Sequence, residues 1–219
     1  MSNQTTIILA AVLVALCSYL VGSINWSVII SNLFYHKDVR NFGSGNAGMT
    51  NMLRTFGKKA AAAVTVGDFS KSIITVAVSR VVFAHLFGQL PFDIGYLAGI
   101  FTILGHLFPI YFRFKGGKGV LTALGMMLVI DWRVFLIVLG VGLLILLCCK
   151  IVSLASICGA VLYPATYVMV HKLMGDFSLP DMICSIVIAL LVIYMHRVNI
   201  KRLINGTEYK FGKPKNDKK

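Results

Sequence analysis

The chain has 219 residues, of which 58% are hydrophobic and only 13% charged, against about 25% charged in ordinary soluble domains. With a mean hydropathy of +0.83, this excludes a soluble globular protein, and residues 1–219 read as a single transmembrane domain. The net charge of +13 does not indicate nucleic acid, because the cations fall between apolar runs and in the tail, as in cytoplasmic loops.

Seven membrane segments follow one another in an all-α, polytopic helix bundle. The first covers residues 6–28. The opening 22 residues lack a basic leader and a small-residue cleavage site, so they are expected to stay as a span. A polar stretch, residues 35–59, leads to a second segment, residues 60–87, which carries Asp68, Lys71, Arg80 and His85. A turn at Pro91 precedes the third, residues 94–112. The fourth, residues 120–130, is too short to span alone at about 1.5 Å per residue. Asp131, Trp132 and Arg133 mark a turn before the fifth, residues 134–149. Lys150 separates it from the sixth, residues 151–171, and a loop leads to the seventh, residues 182–198. If the fourth and fifth form a hairpin that never crosses, five full spans remain.

An odd count places the two ends on opposite sides. Nearly all loop lysines and arginines then share one side, while Arg133 and Lys172 mark the other. The positive-inside rule sets the N-terminus outside and the C-terminus in the cytoplasm, with residues 209–219 as a flexible basic tail near anionic headgroups. Cys17, Cys148, Cys149, Cys158 and Cys184 lie in apolar runs without ligand spacing and read as small buried hydrophobes. No carboxylate cluster suits Mg²⁺ and no His/Cys set suits Zn²⁺, so no metal or cofactor is expected.

Three polar motifs interrupt this pattern, and all three fall on the cytoplasmic side. The first is Gly43-Ser44-Gly45-Asn46-Ala47-Gly48-Met49-Thr50-Asn51, followed by Arg54. Its glycines free the backbone to turn N–H groups toward an anion. Ser44, Asn46, Thr50 and Asn51 add neutral donors, and Arg54 can grip a phosphate in two places. It is not a Walker A loop, since no Gly-Lys-Ser/Thr follows. The second runs from Gly105-His106 to Gly116-Gly117-Lys118-Gly119, where a lysine among glycines at a helix start favours phosphate. His106 is open between a structural hydrogen bond and a site role. The third gathers His196, Asn199 and Arg202 at three-residue spacing, with Glu208 beyond. Inside the second segment, Asp68 and Lys71 read as a supporting ion pair flanking the site.

Together these motifs resemble the bacterial acyl-phosphate-dependent glycerol-3-phosphate acyltransferases, the PlsY family. The family pattern is a GSGNxGATN-like loop with a downstream arginine, a GHxFPxFxxFxGGKGVAT-like segment, and HxxNIxRLxxGxE. About 200 residues follow it in order, with Met49, Leu121 and Ser72 standing where the family has smaller residues. The resemblance implies transfer of an acyl group from acyl phosphate to the 1-hydroxyl of glycerol 3-phosphate, giving lysophosphatidic acid and phosphate. It implies a multi-pass enzyme of the bacterial cell membrane working at the cytoplasmic face, with membrane lipid and other phospholipid-synthesis enzymes as partners. On this reading the Ser44/Asn46/Thr50 loop holds the acyl-phosphate head. Arg54, Lys118, His196 and Asn199 hold glycerol 3-phosphate. His196, Glu208 and a substrate phosphate oxygen are the candidate bases. A small organic-anion transporter is the alternative.

Overall fold

The computed structural model describes residues 3–88 and 92–211. The expected turn at Pro91 and the tail over residues 212–219 lie outside the described residues. Helix α1 (Asn3–Gly22) and helix α2 (Trp26–Tyr35) replace the single first segment. Asn25 leaves the helical region, and its Oδ1 accepts the Val28 N–H, so one side chain starts α2 just after α1 stops. Helix α3 (Met49–Phe56) is followed by α4 (Lys58–Phe87) and α5 (Ile94–Leu107), the last begun by the Asp93 cap. Helices α6 (Val120–Ile130) and α7 (Trp132–Cys149) meet at Asp131, whose carboxylate caps α7. Helix α8 (Val152–Met174), α9 (Leu179–Met195) and α10 (Arg197–Ile204) complete the bundle.

Among the described residues five helices are long and apolar enough to cross a membrane: Gln4–Tyr35 taken together, Lys58–Phe87, Ile94–Phe112, Trp132–Cys149 and Val152–Met174. The expected straight run over residues 182–198 is instead bent by 61° between α9 and α10, at His196. Helix α6 has 11 residues, about 16 Å of rise, far short of the ~30 Å hydrocarbon core. Arg80 closes its end, donating to the Val129 carbonyl at 2.6 Å while pairing with Asp93 at 3.2 Å. Two other expectations need correction. Cys17, Cys148 and Cys149 are exposed on the outer surface of the bundle rather than buried, because they sit on helix faces that no other helix covers. Residues 209–211 are not free: the Phe211 N–H donates to the Lys150 carbonyl at 2.6 Å.

The centre of the bundle holds a charged cluster where hydrocarbon would ordinarily be. Asp68, Lys71 and His106 are 1%, 5% and 4% exposed. Lys71 Nζ lies 2.9 Å from the Gly22 carbonyl, 2.7 Å from that of Ile24, 3.1 Å from Asp68 and 3.1 Å from His106 Nδ1. The two carbonyls and His106 Nδ1 thus match the three ammonium protons, and Asp68 balances the charge as an ion pair. The carbonyls lie at the broken end of α1, have no helical partner and need one in a dry interior. The helices that meet here lie close. A side chain at Gly105 of α5 would put its Cβ 2.2 Å from the Tyr19 carbonyl of α1, so only glycine admits this approach.

Removing one member of such a cluster strands the others. Lys71→Met should lower stability by about 3–5 kcal/mol, because Asp68 is left charged and unpaired in a dry interior. The double variant Asp68→Asn/Lys71→Met should recover part of that loss. Thermal unfolding of purified protein in detergent checks both expectations.

Candidate active site

All three motifs meet at one end of the bundle around a cavity of about 130 Å³. Its walls include Ser44, Asn46, Gly48, Thr50 and Arg54 from the first motif, Lys118 and Gly119 from the second, and His196, Asn199, Arg202 and Glu208 from the third. Asp68 and His106 reach it from the buried cluster.

The first loop is shaped by Asn51, which is 1% exposed on α3. Its amide donates to the carbonyls of Val39, Phe42 and Asn46, each at 3.0 Å, and its Oδ1 accepts the Ser44 N–H. Expected as a ligand-binding residue, Asn51 is therefore engaged in organising the loop. Gly43 and Gly45 take left-handed φ of 59° and 72°, which fold the loop over α3. In contrast, the side chains of Ser44, Asn46 and Thr50 make no hydrogen bond among the described residues. Arg54 Nε is buried without a partner, and its guanidinium lies 4.3 Å from the Tyr209 ring centroid.

The second loop is tied to the buried cluster. The Gly116 and Gly117 N–H groups donate to the carbonyls of Leu107 and His106. A Cβ on Gly117 would lie 2.2 Å from His106 Nε2, so the histidine ring packs directly beneath that glycine. His106 thus acts as the bridge between Lys71 and the loop, while also lining the cavity. Gly119 turns with φ 79° into α6, leaving Lys118 at the cavity edge.

The third motif forms a relay. Lys118 Nζ donates to Asn199 Oδ1 in a very short contact. Asn199 Nδ2 donates to Glu208 Oε1 at 2.7 Å, which also accepts from Ser153 at 2.9 Å. Arg202 Nε donates to Glu208 Oε2 at 2.6 Å. Burial pushes the Glu208 carboxyl up, but hydrogen bonds from Arg202, Asn199 and Ser153 outweigh it and hold its pKa below the ordinary value. Glu208 is consequently ionised with its oxygens engaged, which makes it an organiser and a poor base. Burial also pulls the Lys118 pKa down to about 8, with Glu208 opposing the shift and Arg202 and Arg54 adding to it. The charged lysine therefore disfavours the empty site below about pH 8, and a bound anion would relieve that. His196 Nδ1 is 2.8 Å from the Val192 carbonyl. This contact requires a proton on Nδ1, so in the neutral ring Nε2 is an acceptor.

Charge at the site is lopsided. Asp68 and Glu208 are the carboxylates in the wall, and each has its own cation in Lys71 and Arg202. Arg54 and Lys118 are left without a carboxylate partner among the described residues. Sequence reasoning missed Ser153, Ser156 and Tyr209, all of which line the cavity. Ser153 and Ser156 start a long apolar helix, and nothing in their local sequence marks them. Tyr209 adjoins Glu208 and could have been taken with it.

The cavity does not end in protein. Through Met49, Val120, Leu121, Val152 and Ser156 it continues into an apolar groove of about 200 Å³ between α6, α7, α8 and α9. A donor-rich, cationic chamber is thereby joined to a hydrocarbon-lined one.

A family model described as glycerol-3-phosphate acyltransferase matches residues 12–206. The glycerol-3-phosphate acyltransferase of Clostridioides difficile strain 630 is 40% identical over 208 residues, covering 95% of this chain and 98% of its own. That of Thermoanaerobacter sp. strain X514 is 40% identical over 202 residues, covering 92% and 96%. The crystal structure of PlsY (YgiH), an integral membrane glycerol 3-phosphate acyltransferase, in its glycerol 3-phosphate form superposes with a TM-score of 0.80. It is 36% identical and covers 92% of this chain and 96% of that one. Its lysophosphatidic acid form gives a TM-score of 0.77 at 34% identity, covering 92% and 95%. Composition, bundle and converging motifs all agree with this match: the chain belongs to the glycerol-3-phosphate acyltransferase family of integral membrane enzymes.

Proposed function

We propose that the chain transfers a fatty acyl group from acyl phosphate to the 1-hydroxyl of glycerol 3-phosphate. The observation that carries this reading is the joining of a cationic, donor-rich cavity to an apolar groove. A donor with a phosphate head and a hydrocarbon tail fits across that junction. In the reaction, the hydroxyl oxygen bonds to the acyl carbon, the bond from that carbon to the phosphate oxygen breaks, and phosphate leaves with the electron pair. The hydroxyl proton passes to a phosphate oxygen, giving lysophosphatidic acid and inorganic phosphate.

The free donors on Ser44, Asn46 and Thr50 hold the acyl-phosphate head and the developing oxyanion. Arg54 and Lys118 hold the glycerol 3-phosphate dianion, with Asn199 aiming the lysine. His196 Nε2 accepts from a glycerol hydroxyl and orients it, a proximity effect. Ser44 Oγ has no basic partner, which favours direct transfer over an acyl-serine. The bacterial relatives and the basic loops at this end of the bundle support a plasma-membrane location with the site facing the cytoplasm and the N-terminus outside. The transporter alternative finds no support in the family match.

Release of inorganic phosphate should require both acyl phosphate and glycerol 3-phosphate, and Lys118→Ala should lower kcat/KM by about a hundredfold or more. Absence of release from folded protein with acyl phosphate, but activity with acyl-coenzyme A, would replace the donor. His196→Ala should mainly raise the KM for glycerol 3-phosphate. A collapse of kcat at unchanged KM would instead make His196 the base.

The Lys118 pKa of about 8 sets an alkaline limb. Above it the ammonium is neutral and loses its hold on phosphate. The kcat/KM for glycerol 3-phosphate should therefore fall by up to about tenfold per pH unit above pH 8. Lys118→Arg, which stays charged, should move that limb to higher pH.

A further inference from the structure

The apolar groove has a definite inner end. On α6 it runs from Val120 to Met127, and on α8 from Val152 to Tyr163, about 10–16 Å along the helix axes. Tyr163 and Met127 line the groove and also a small pocket beyond it, so together they are the partition between the two. They are 2% and 5% exposed. The pocket behind them is also lined by Tyr96, Tyr167 and Asp131, the last ion-paired with Arg133 at 2.7 Å. The pocket also takes in Ile130 and Val134 and has essentially no free volume, so an alkyl terminus pushed past the partition would find no room.

We propose that Tyr163, backed by Met127, is the residue that sets acyl-chain length in this protein. The inference rests on the acyl-transfer reading and adds to it the depth at which the tail is stopped. A chain that reaches the tyrosine ring gains contact with every methylene it buries. A longer one must fold back or leave sideways toward lipid, where the extra methylenes gain nothing from the protein. Between mouth and partition the groove is lined by Gly159 of α8, which faces Val138 of α7. A Cβ there would meet only Val138 Cγ1, at 3.5 Å, so a larger side chain can enter the groove without moving the backbone.

The test uses the full-length protein in detergent with glycerol 3-phosphate and a series of acyl phosphates from lauroyl to stearoyl. For each, kcat/KM is measured relative to palmitoyl. Tyr163→Ala should shift the profile to longer chains, by about three- to fourfold for each methylene newly accommodated. Tyr163→Phe keeps the wall and should leave the profile unchanged. Gly159→Leu plugs the groove partway and should shift the profile to shorter chains, so the proposal stays testable if Tyr163→Ala does not fold. An unchanged profile in Gly159→Leu, or in folded Tyr163→Ala, overturns the role of Tyr163. Absence of turnover by the unaltered protein with every acyl phosphate overturns the acyl-phosphate reading instead. In that case the same profiles are taken with acyl-coenzyme A thioesters, where an unchanged profile again overturns the proposal.

Discussion

Everything at the cavity depends on one ammonium group held inside the bundle. Lys71 is almost wholly buried, so the fold surrounds it with partners: two carbonyls from the broken end of α1, the Asp68 carboxylate and His106. The arrangement satisfies helix-end carbonyls and a buried charge together, which neither could achieve alone in a dry interior. It also fixes geometry. Lys71 holds His106, His106 underlies Gly117, and Gly117 sets the position of Lys118. A chain of contacts thus runs from a structural ion pair to the cation that faces the ligand.

Polar residues at the site divide into two populations. Asn51, Asn199 and Glu208 have their hydrogen-bonding capacity largely engaged with protein groups. Ser44, Asn46, Thr50, Arg54 and the His196 Nε2 edge do not. The first group makes the site rigid before a ligand arrives, and the second is what remains for the ligand. Preorganisation of this kind lets donors act on developing charge without rearranging at the moment of reaction. An apolar groove adjoins this polar cavity and shares part of its wall.

The sequence carried the membrane character and most helix positions, because apolar runs of span length have few alternatives. It failed at α1 and α2, where a short polar cap inside an apolar run broke what looked continuous. It failed again in the last segment, where one straight run over residues 182–198 was expected and the chain bends by 61° between α9 and α10. His196, Asn199 and Arg202 at their three-residue spacing nonetheless share the cavity. The residues of the three motifs were legible as an anion site from their types alone. Their roles were not. Asn51 reads as a donor for substrate, and only its partners reveal that it holds the loop. Glu208 reads as a base, and only the structure shows that its oxygens are engaged by Ser153, Asn199 and Arg202.

By itself, the sequence determined the solvent of this protein, its helical class and the chemistry of its ligand. Those properties follow from local composition: hydrophobic length demands a bilayer, and clustered donors and cations demand an anion. Tertiary structure alone decided which donors are free, which charges are paired, and where the apolar groove lies. These depend on contacts between residues far apart in the chain, such as Lys118 with Asn199 and Ser153 with Glu208. Ser153 and Ser156 are ordinary helix residues until the returning C-terminal segment brings Glu208 to Ser153 and both serines into the cavity wall. The groove likewise belongs to no single helix, since residues of α6, α7, α8 and α9 all line it.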